Sequence, residues 1–388
     1  MPPPPSLHEA VQARLPRYLA ELEALVNIDC GSFTPAGVNR VADHVAASLE
    51  ELGARVERIP HAAAADEPQL GDLIIGHLPG DGARRLLIGH MDTVFDEGTA
   101  AARPYTVEGD RARGPGASDM KGGLLSGLHA LAALHETGER PAITFVANPD
   151  EEIGSIFSGA HIRRLAPDHD VSLVLECARA SGAIVSARKG IADLELTFRG
   201  RAAHAGVEPE KGRSAILAAA RQVVVLHELN GRWPGVTLNA GVIAGGTRPN
   251  VVPAECRVQL DMRVAAADTF DTARAEVERL VADSPVDGVT CNIRELAAHR
   301  PMERTKATAR LAELAIAIAG ELGFELTEAA TGGASDANTT SGLGVPTLDG
   351  LGPIGGDDHS ADEWLDLASV VPRTTLLASL IARVGEAL

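Results

Sequence analysis

Three apolar runs in this chain each stop at residues able to bind a metal or move a proton. Leu86-Leu87-Ile88-Gly89 runs into His90, with Asp92 two residues on. Ala142 to Ala147 runs into Asn148-Pro149-Asp150 and then the pair Glu151-Glu152, and Ser172 to Leu175 runs into Glu176. Two loops add residues of the same chemical type. Asp119 sits in the glycine-rich segment Gly114 to Gly123, and His359 in Gly355-Gly-Asp-Asp-His-Ser360. Each has an ordinary explanation when taken alone. A strand-end histidine is often a satisfied polar group, a Glu-Glu pair a solvated turn, Asp119 a helix N-cap, and His359 a surface turn. Their convergence at the carboxyl ends of neighbouring strands, where open α/β sheets bind ligands, favours a shared site.

Two imidazoles and three carboxylates, with no thiolate, suit a catalytic zinc, cobalt or manganese site better than a structural zinc site. Five ligands are too many for one zinc that keeps a position open. They fit two ions, about 3.5–4 Å apart, if one carboxylate bridges. Glu151 then has a separate role beside a ligand: taking a proton from a shared water and passing it to a leaving amine. Asp92 lies two residues past His90 on an extended segment, so it faces the same side and can orient the imidazole.

These residues need a frame. The apolar strands alternate with helical patterns such as Met120 to His135, where Leu124, Leu128, Leu131 and Leu134 share a face. That combination predicts an α/β fold with a mostly parallel sheet covered on both faces. The pattern changes near Lys189. Ala192–Arg199 alternates strictly, followed by a helix (Ser214–Leu229), strands around Val236–Val242 and Cys256–Val264, a helix (Thr269–Ala282) and a strand around Val289–Ile293. The order β-α-β-β-α-β predicts an inserted ferredoxin-like α+β domain over 189–300, within a catalytic domain made of 1–188 and 301–388. After Pro301 come a helix (Thr305–Leu322), the glycine-rich Thr331–Asn338, a strand (Val345–Leu348) and a last helix.

The blocks Ile88-Gly-His-Met-Asp-Thr93, Gly116-Ala-Ser-Asp-Met-Lys-Gly-Gly123, Pro149-Asp-Glu-Glu-Ile-Gly154, Leu175-Glu176 and Asp358-His359-Ser360 resemble the signature of the dinuclear zinc exopeptidases and deacylases. That family includes carboxypeptidase G-type glutamate carboxypeptidases, acetylornithine deacetylase and succinyl-diaminopimelate desuccinylase. The resemblance implies one zinc on His90, Asp119 and Glu176 and another on Asp119, Glu152 and His359. Asp119 would bridge and Glu151 would be the general base. A cis peptide at Asp119–Met120 is implied too. In the inserted domain, Phe198 to Gly206 resembles the segment whose histidine, here His204, polarises the scissile carbonyl. The blocks Gly246 to Pro253, with Asn250, and Asp261-Met-Arg263 resemble those that grip a substrate carboxylate. The guanidinium fork of Arg263 suits a carboxylate, although a salt bridge with Asp261 is the competing reading. Arg300 at the return hinge and Gly333, where backbone can approach a ligand, complete the candidates.

Composition excludes other classes. The 388 residues are comfortable for two domains. A net charge of −18 with no basic tract argues against nucleic acid or anionic membrane as partner. No run of about 18 apolar residues is apparent, so no membrane span is expected. The start MPPPPSLHEA lacks a basic, apolar signal pattern, and four scattered cysteines read as reduced thiols. The expectation is a cytoplasmic enzyme, with two Zn²⁺ or alternatively Co²⁺ or Mn²⁺. It would cut an amide bond of a small N-acyl amino acid or dipeptide-like substrate and release a glutamate-like C-terminal residue. An N-acyl-amino-acid deacylase is the alternative. A non-catalytic binding protein on the same fold would have lost ligands or base, and all six residues are here. The edges of the inserted sheet lead us to expect a homodimer.

Overall fold

The computed structural model describes residues 6–388. Half of the start read as lacking a signal pattern, residues 1–5, lies outside the described residues.

Along the chain the elements are α1 (Leu7–Val26), α2 (Pro35–Glu51), β1 (Arg55–Ile59), β2 (Leu73–Leu78), β3 (Asp81–His90), α3 (Thr99–Ala102), β4 (Thr106–Glu108) and β5 (Arg111–Arg113). There follow α4 (Gly123–Thr137), β6 (Pro141–Asn148), α5 (Gly159–Leu165), β7 (Val171–Val174), β8 (Ile184–Arg188) and β9 (Gly190–Arg199). Next are α6 (Ala215–His227), β10 (Thr237–Gly245), β11 (Glu255–Val264), α7 (Ala267–Ala282) and β12 (Thr290–His299). The chain ends with α8 (Lys306–Glu321), β13 (Glu328–Thr331), α9 (Asp336–Gly342), β14 (Thr347–Leu348), β15 (Gly355–Gly356), β16 (Trp364–Asp366) and α10 (Leu367–Arg383). Contacts divide these into two compact units: 1–187 with 304–330 and 335–388, and 188–303 with 331–334.

The larger unit is built on a six-stranded sheet in the order β1-β2-β6-β3-β7-β14. β3 lies between β6 and β7 and runs parallel to both, β14 runs parallel to β7, and β2 alone is antiparallel to its two neighbours. The central strands are near-continuous apolar runs because both faces are covered. α4 packs against α1 and α10, and Leu124, Leu128, Leu131 and Leu134 are buried in the core. The segment Leu367–Glu386 departs from the expectation about apolar length. In composition it is long and apolar enough to cross a membrane, with mean hydropathy 1.3. It is instead a core helix, 67% buried, and carries the buried Arg373. That guanidinium donates to the carbonyls of Gly352, Gly182 and Gly350 at 3.1, 3.1 and 2.6 Å. β4, β5, β15 and β16 form a further small sheet.

The smaller unit holds an antiparallel sheet in the order β10-β11-β9-β12, with α6 and α7 packed on it. In chain order this is 2-3-1-4, the ferredoxin-like arrangement. Leu194, Leu196 and Phe198 of β9 point into its own core, as strict alternation requires. Residues 331–334, which sequence reading assigns to the larger domain, belong here. Arg263 donates to Gly332 O at 2.8 Å and Arg188 to Gly333 O at 3.1 Å, tying that stretch down.

Candidate metal centre

Parallel register assembles the site. β3 pairs with β6 so that His90 is opposite Asn148, and with β7 so that Ile88 is opposite Val174. His90, the turn after β6 and Glu176 are therefore brought to one level at the carboxyl end of the sheet. Two loops approach that level. Asp119 sits in the irregular turn Ala117–Gly122 before α4, and the Asp119–Met120 peptide bond is cis. His359 occupies a tight turn in which it and Asp357 both have positive φ.

Asp119 meets one imidazole with each oxygen. His90 Nε2 is 3.1 Å from Asp119 Oδ1, and His359 Nε2 is 3.1 Å from Asp119 Oδ2. His90 Nε2 is also 3.8 Å from Glu176 Oε1, and His359 Nε2 is 3.1 Å from Glu152 Oε2. Ligand atoms of His90, Asp119 and Glu152 lie within 4.8 Å of one another, and so do those of His90, Glu151 and Glu176. The Glu151 carboxylate accepts no hydrogen bond among the described residues, whereas Glu152 is engaged by His359. Asp92 is fully buried beneath them. It accepts from the amides of Glu151 and Glu152, both at 3.2 Å, and from Ser32 Oγ at 2.6 Å. Its carboxylate is 3.4 Å from His90 Nδ1, while its carbonyl is closer at 3.0 Å. The orienting contact to the imidazole is thus mainly to the backbone. The carboxylate chiefly holds the turn that carries both glutamates.

Crowded carboxylates shift one another's ionisation. Burial, reinforced by Glu176, pushes Glu151 well above the usual carboxylate range. Burial pushes Glu176 up to about 7 against the opposing pull of His90. Burial also raises Glu152, with His359 opposing. For Asp119 burial is outweighed by His359 and His90, which hold it well below the usual range. For His90 burial is outweighed by Glu176 and Asp119, and its pKa lies well above the ordinary value. Asp119 and Glu152 raise His359 to about 11. Such a cluster asks for a cation. The donor set is all nitrogen and carboxylate oxygen, as catalytic zinc-type ions prefer. Glu152 Oε1 is buried and has no hydrogen-bond partner among the described residues, so it keeps a lone pair free for a cation. The residues present fit a metal.

The sequence profile of peptidase family M20/M25/M40 matches residues 86–383. The chain belongs to that family. Carboxypeptidase G2 of Pseudomonas sp. strain RS-16 is 31% identical to it, over 98% of this chain and 92% of its own length. Acetylornithine deacetylase of Myxococcus xanthus is 30% identical over 64% and 67%. A Staphylococcus aureus tripeptidase structure superposes with a TM-score of 0.77 over 96% of this chain and 99% of its own, at 21% identity. As an M20 protein the chain is a metal-dependent peptidase or amidohydrolase, and the cluster is where its metal fits.

The other sequence-derived candidates of this M20 chain lie in the smaller unit. His204 and Asn250 are neighbours. His204 pairs with Val251, and the Ala205 amide donates to Asn250 O at 3.0 Å. Both are exposed. Arg263 stands eight residues beyond Glu255, at the far end of β11, about 26 Å along the strand at about 3.3 Å per residue. The structure therefore does not bring Asn250 and Arg263 together within one chain. Arg263 Nε and Nη2 are bound to Asp261, at 3.0 and 2.7 Å, the salt bridge that was its competing reading. Arg300 pairs with Asp271 at 2.6 Å, and Gly333 offers its carbonyl to Arg188.

Sequence reasoning missed the supports. Ser32 on Asp92 is one. A buried network is another: Asn148 Nδ2 donates to Asp336 Oδ2 at 2.6 Å and to Ser155 Oγ at 2.9 Å, while Asp150 accepts from the amides of Phe157 and Ser158. Asp150 lies inside the quoted Pro149–Gly154 block, so its position is visible; its role needs the fold.

Proposed function

We propose that the chain is a two-zinc carboxypeptidase that hydrolyses the amide bond of an N-acyl amino acid and releases a glutamate-like C-terminal residue. The observation that carries this reading is Asp119, whose two oxygens face two histidines, each within reach of a further carboxylate. His90, Asp119 and Glu176 would hold one ion, and Asp119, Glu152 and His359 the other. When bound, the ions supply Lewis acidity to the scissile carbonyl and lower the pKa of water. Glu151, whose carboxylate accepts no hydrogen bond among the described residues, takes a proton there and returns it to the leaving amine. Asp92 keeps Glu151 and Glu152 in register by holding both amides. Arg263 attracts the substrate carboxylate after exchanging its Asp261 contact, and His204, at the other end of the β11 sheet, donates to the developing oxyanion from the second copy of the homodimer. Arg300, engaged by Asp271, is left out of this reading.

The similarity to carboxypeptidase G2 supports the glutamate branch. The similarity to an acetylornithine deacetylase supports a second reading, an N-acyl-amino-acid deacylase on the same ligands. The substrate is a small molecule, the compartment cytoplasmic and the assembly a homodimer in either case. A panel of N-acyl amino acids and dipeptides, each with its C-terminal amide counterpart, separates the two by product analysis. N-acyl glutamate should be cut fastest and its amidated analogue at least about 10-fold more slowly, the usual result of unpairing a charge-recognising group. Equal rates for acid and amide would remove the carboxypeptidase reading and leave the deacylase. In the same assay His204→Ala should lower kcat by about 10²–10³, the worth of one oxyanion donor. Unchanged kinetics would make His204 a surface residue.

A further inference from the structure

The Asp119 turn has a second anchor that the reading above does not use. Glu363 is 1% exposed, four residues after His359. Its carboxylate accepts three backbone amides of the turn: Gly116 at 3.0 Å on Oε2, and Ser118 at 2.8 Å and Asp119 at 3.1 Å on Oε1. The turn needs such an acceptor. Gly116 has φ +74, Asp119 and Met120 have non-helical dihedrals, and these amides therefore point inward rather than along a helix. A side chain at Gly116 is excluded, since a Cβ there would come within 2.6 Å of Thr93.

The loop bearing Glu363 is itself fixed. Trp364 Nε1 donates to Asp357 Oδ2 at 3.0 Å, Arg113 donates to Asp362 O at 2.9 Å, and β16 pairs with β5. One short segment thus touches Asp119 at both ends: His359 meets its side chain and Glu363 its backbone amide. Both carboxylate oxygens are used, whereas a glutamine would offer one acceptor and turn an N–H donor toward the remaining amide.

We infer that Glu363 is a positioning residue for the metal centre, holding the Asp119 turn so that the two oxygens of Asp119 face His90 and His359, the residues that would hold the ions with it. This rests on the reading of Asp119 as a metal ligand, and the test separates the two. Metal-stripped protein is titrated with Zn²⁺ against a competing chelator, and with Co²⁺ while its visible absorption is recorded. The chains compared are wild type, Glu363→Gln, Glu363→Ala and the control Glu21→Gln, which removes a half-buried carboxylate contact elsewhere in the larger unit. Thermal melting of each stripped protein is measured alongside. Glu363→Gln should bind zinc about 10–100-fold more weakly, the usual cost of losing an outer support of a ligand. Its cobalt spectrum should change, and its melting temperature should fall no further than that of Glu21→Gln. Glu363→Ala should lose more; if it fails to fold, Glu363→Gln decides. Wild type that takes up no metal would overturn the ligand reading together with this one. Wild type and Glu363→Gln binding alike, or Glu363→Gln losing affinity only as much as Glu21→Gln does, would overturn the positioning role alone.

Discussion

A carboxylate with one oxygen on each of two imidazoles is the smallest feature that explains this chain, and the adjacent glutamates show how far a single position matters. Glu152 pairs with His359, while the Glu151 carboxylate, in the same cluster, accepts no hydrogen bond among the described residues. Glu151→Gln should therefore cut turnover by about 10²–10⁴, the contribution of positioned acid–base catalysis, with metal content unchanged by elemental analysis. Glu152→Ala should lose metal instead. Full activity in Glu151→Gln would refute the assignment. The five ligand candidates and Glu151 are legible in the sequence because each ends an apolar run or sits in a glycine loop, so type and spacing reveal them. Ser32, Asp336 and Glu363 are not. Ser32 lies 60 positions from the Asp92 it supports, and Glu363 acts through backbone amides, which leave no signature in side-chain pattern. Arg263 is legible both as a guanidinium and as the partner of Asp261, two residues away on the same strand, and the structure shows the second.

Elements place these residues through register and through the helices packed behind them. α1 is held to α4 by a half-buried pair in which His129 Nε2 donates to Glu21 Oε2 at 2.8 Å, while Arg14 donates to His129 Nδ1 at 3.3 Å and Arg17 to Glu21 at 2.7 Å. Burial alone would raise the Glu21 pKa, but His129 and Arg17 overcome it and hold the carboxylate at about 2. Its folded pKa lies below the unfolded value of about 4.3. The stabilisation is therefore complete above about pH 4.3 and is lost as pH falls toward 2. Glu21→Gln should cost about 1–2 kcal/mol at neutral pH, discounted for partial solvent screening, and should flatten the stability curve between about pH 4.3 and 2. A variant with an unaltered acid limb in denaturant titrations would contradict this. Long periodic elements such as β9, α6 and α8 are legible within a few residues of their ends. β4, β5, β15 and β16, two or three residues each, are too short to show a period, and β1 is partly exposed on the sheet edge. β12 continues well past Ile293 because pairing with β9, not its own pattern, carries it to His299.

At the scale of the whole molecule, the insertion of a ferredoxin-like unit is legible where period-2 alternation replaces buried runs, whereas the return of residues 331–334 to that unit depends on Arg188 and Arg263. The unit also bears an apolar surface. β10 is an edge strand with Val242 and Ile243 about half exposed, and neighbouring α6 exposes Ile216, Leu217 and Val224. An open edge beside an apolar helix face favours pairing with a second copy. Light scattering at micromolar concentration should give twice the chain mass, and Ile243→Lys should lower it; a wild-type monomer would rule the dimer out. A net charge of −18 concentrates cations near the protein, yet only a built site retains them stoichiometrically. The direct test of the account is therefore the number of ions per chain after stripping, reconstitution with zinc and removal of excess by gel filtration, read by elemental analysis. The two half-sites sharing Asp119 predict two zinc ions per chain, and a value of one or none would contradict the central claim.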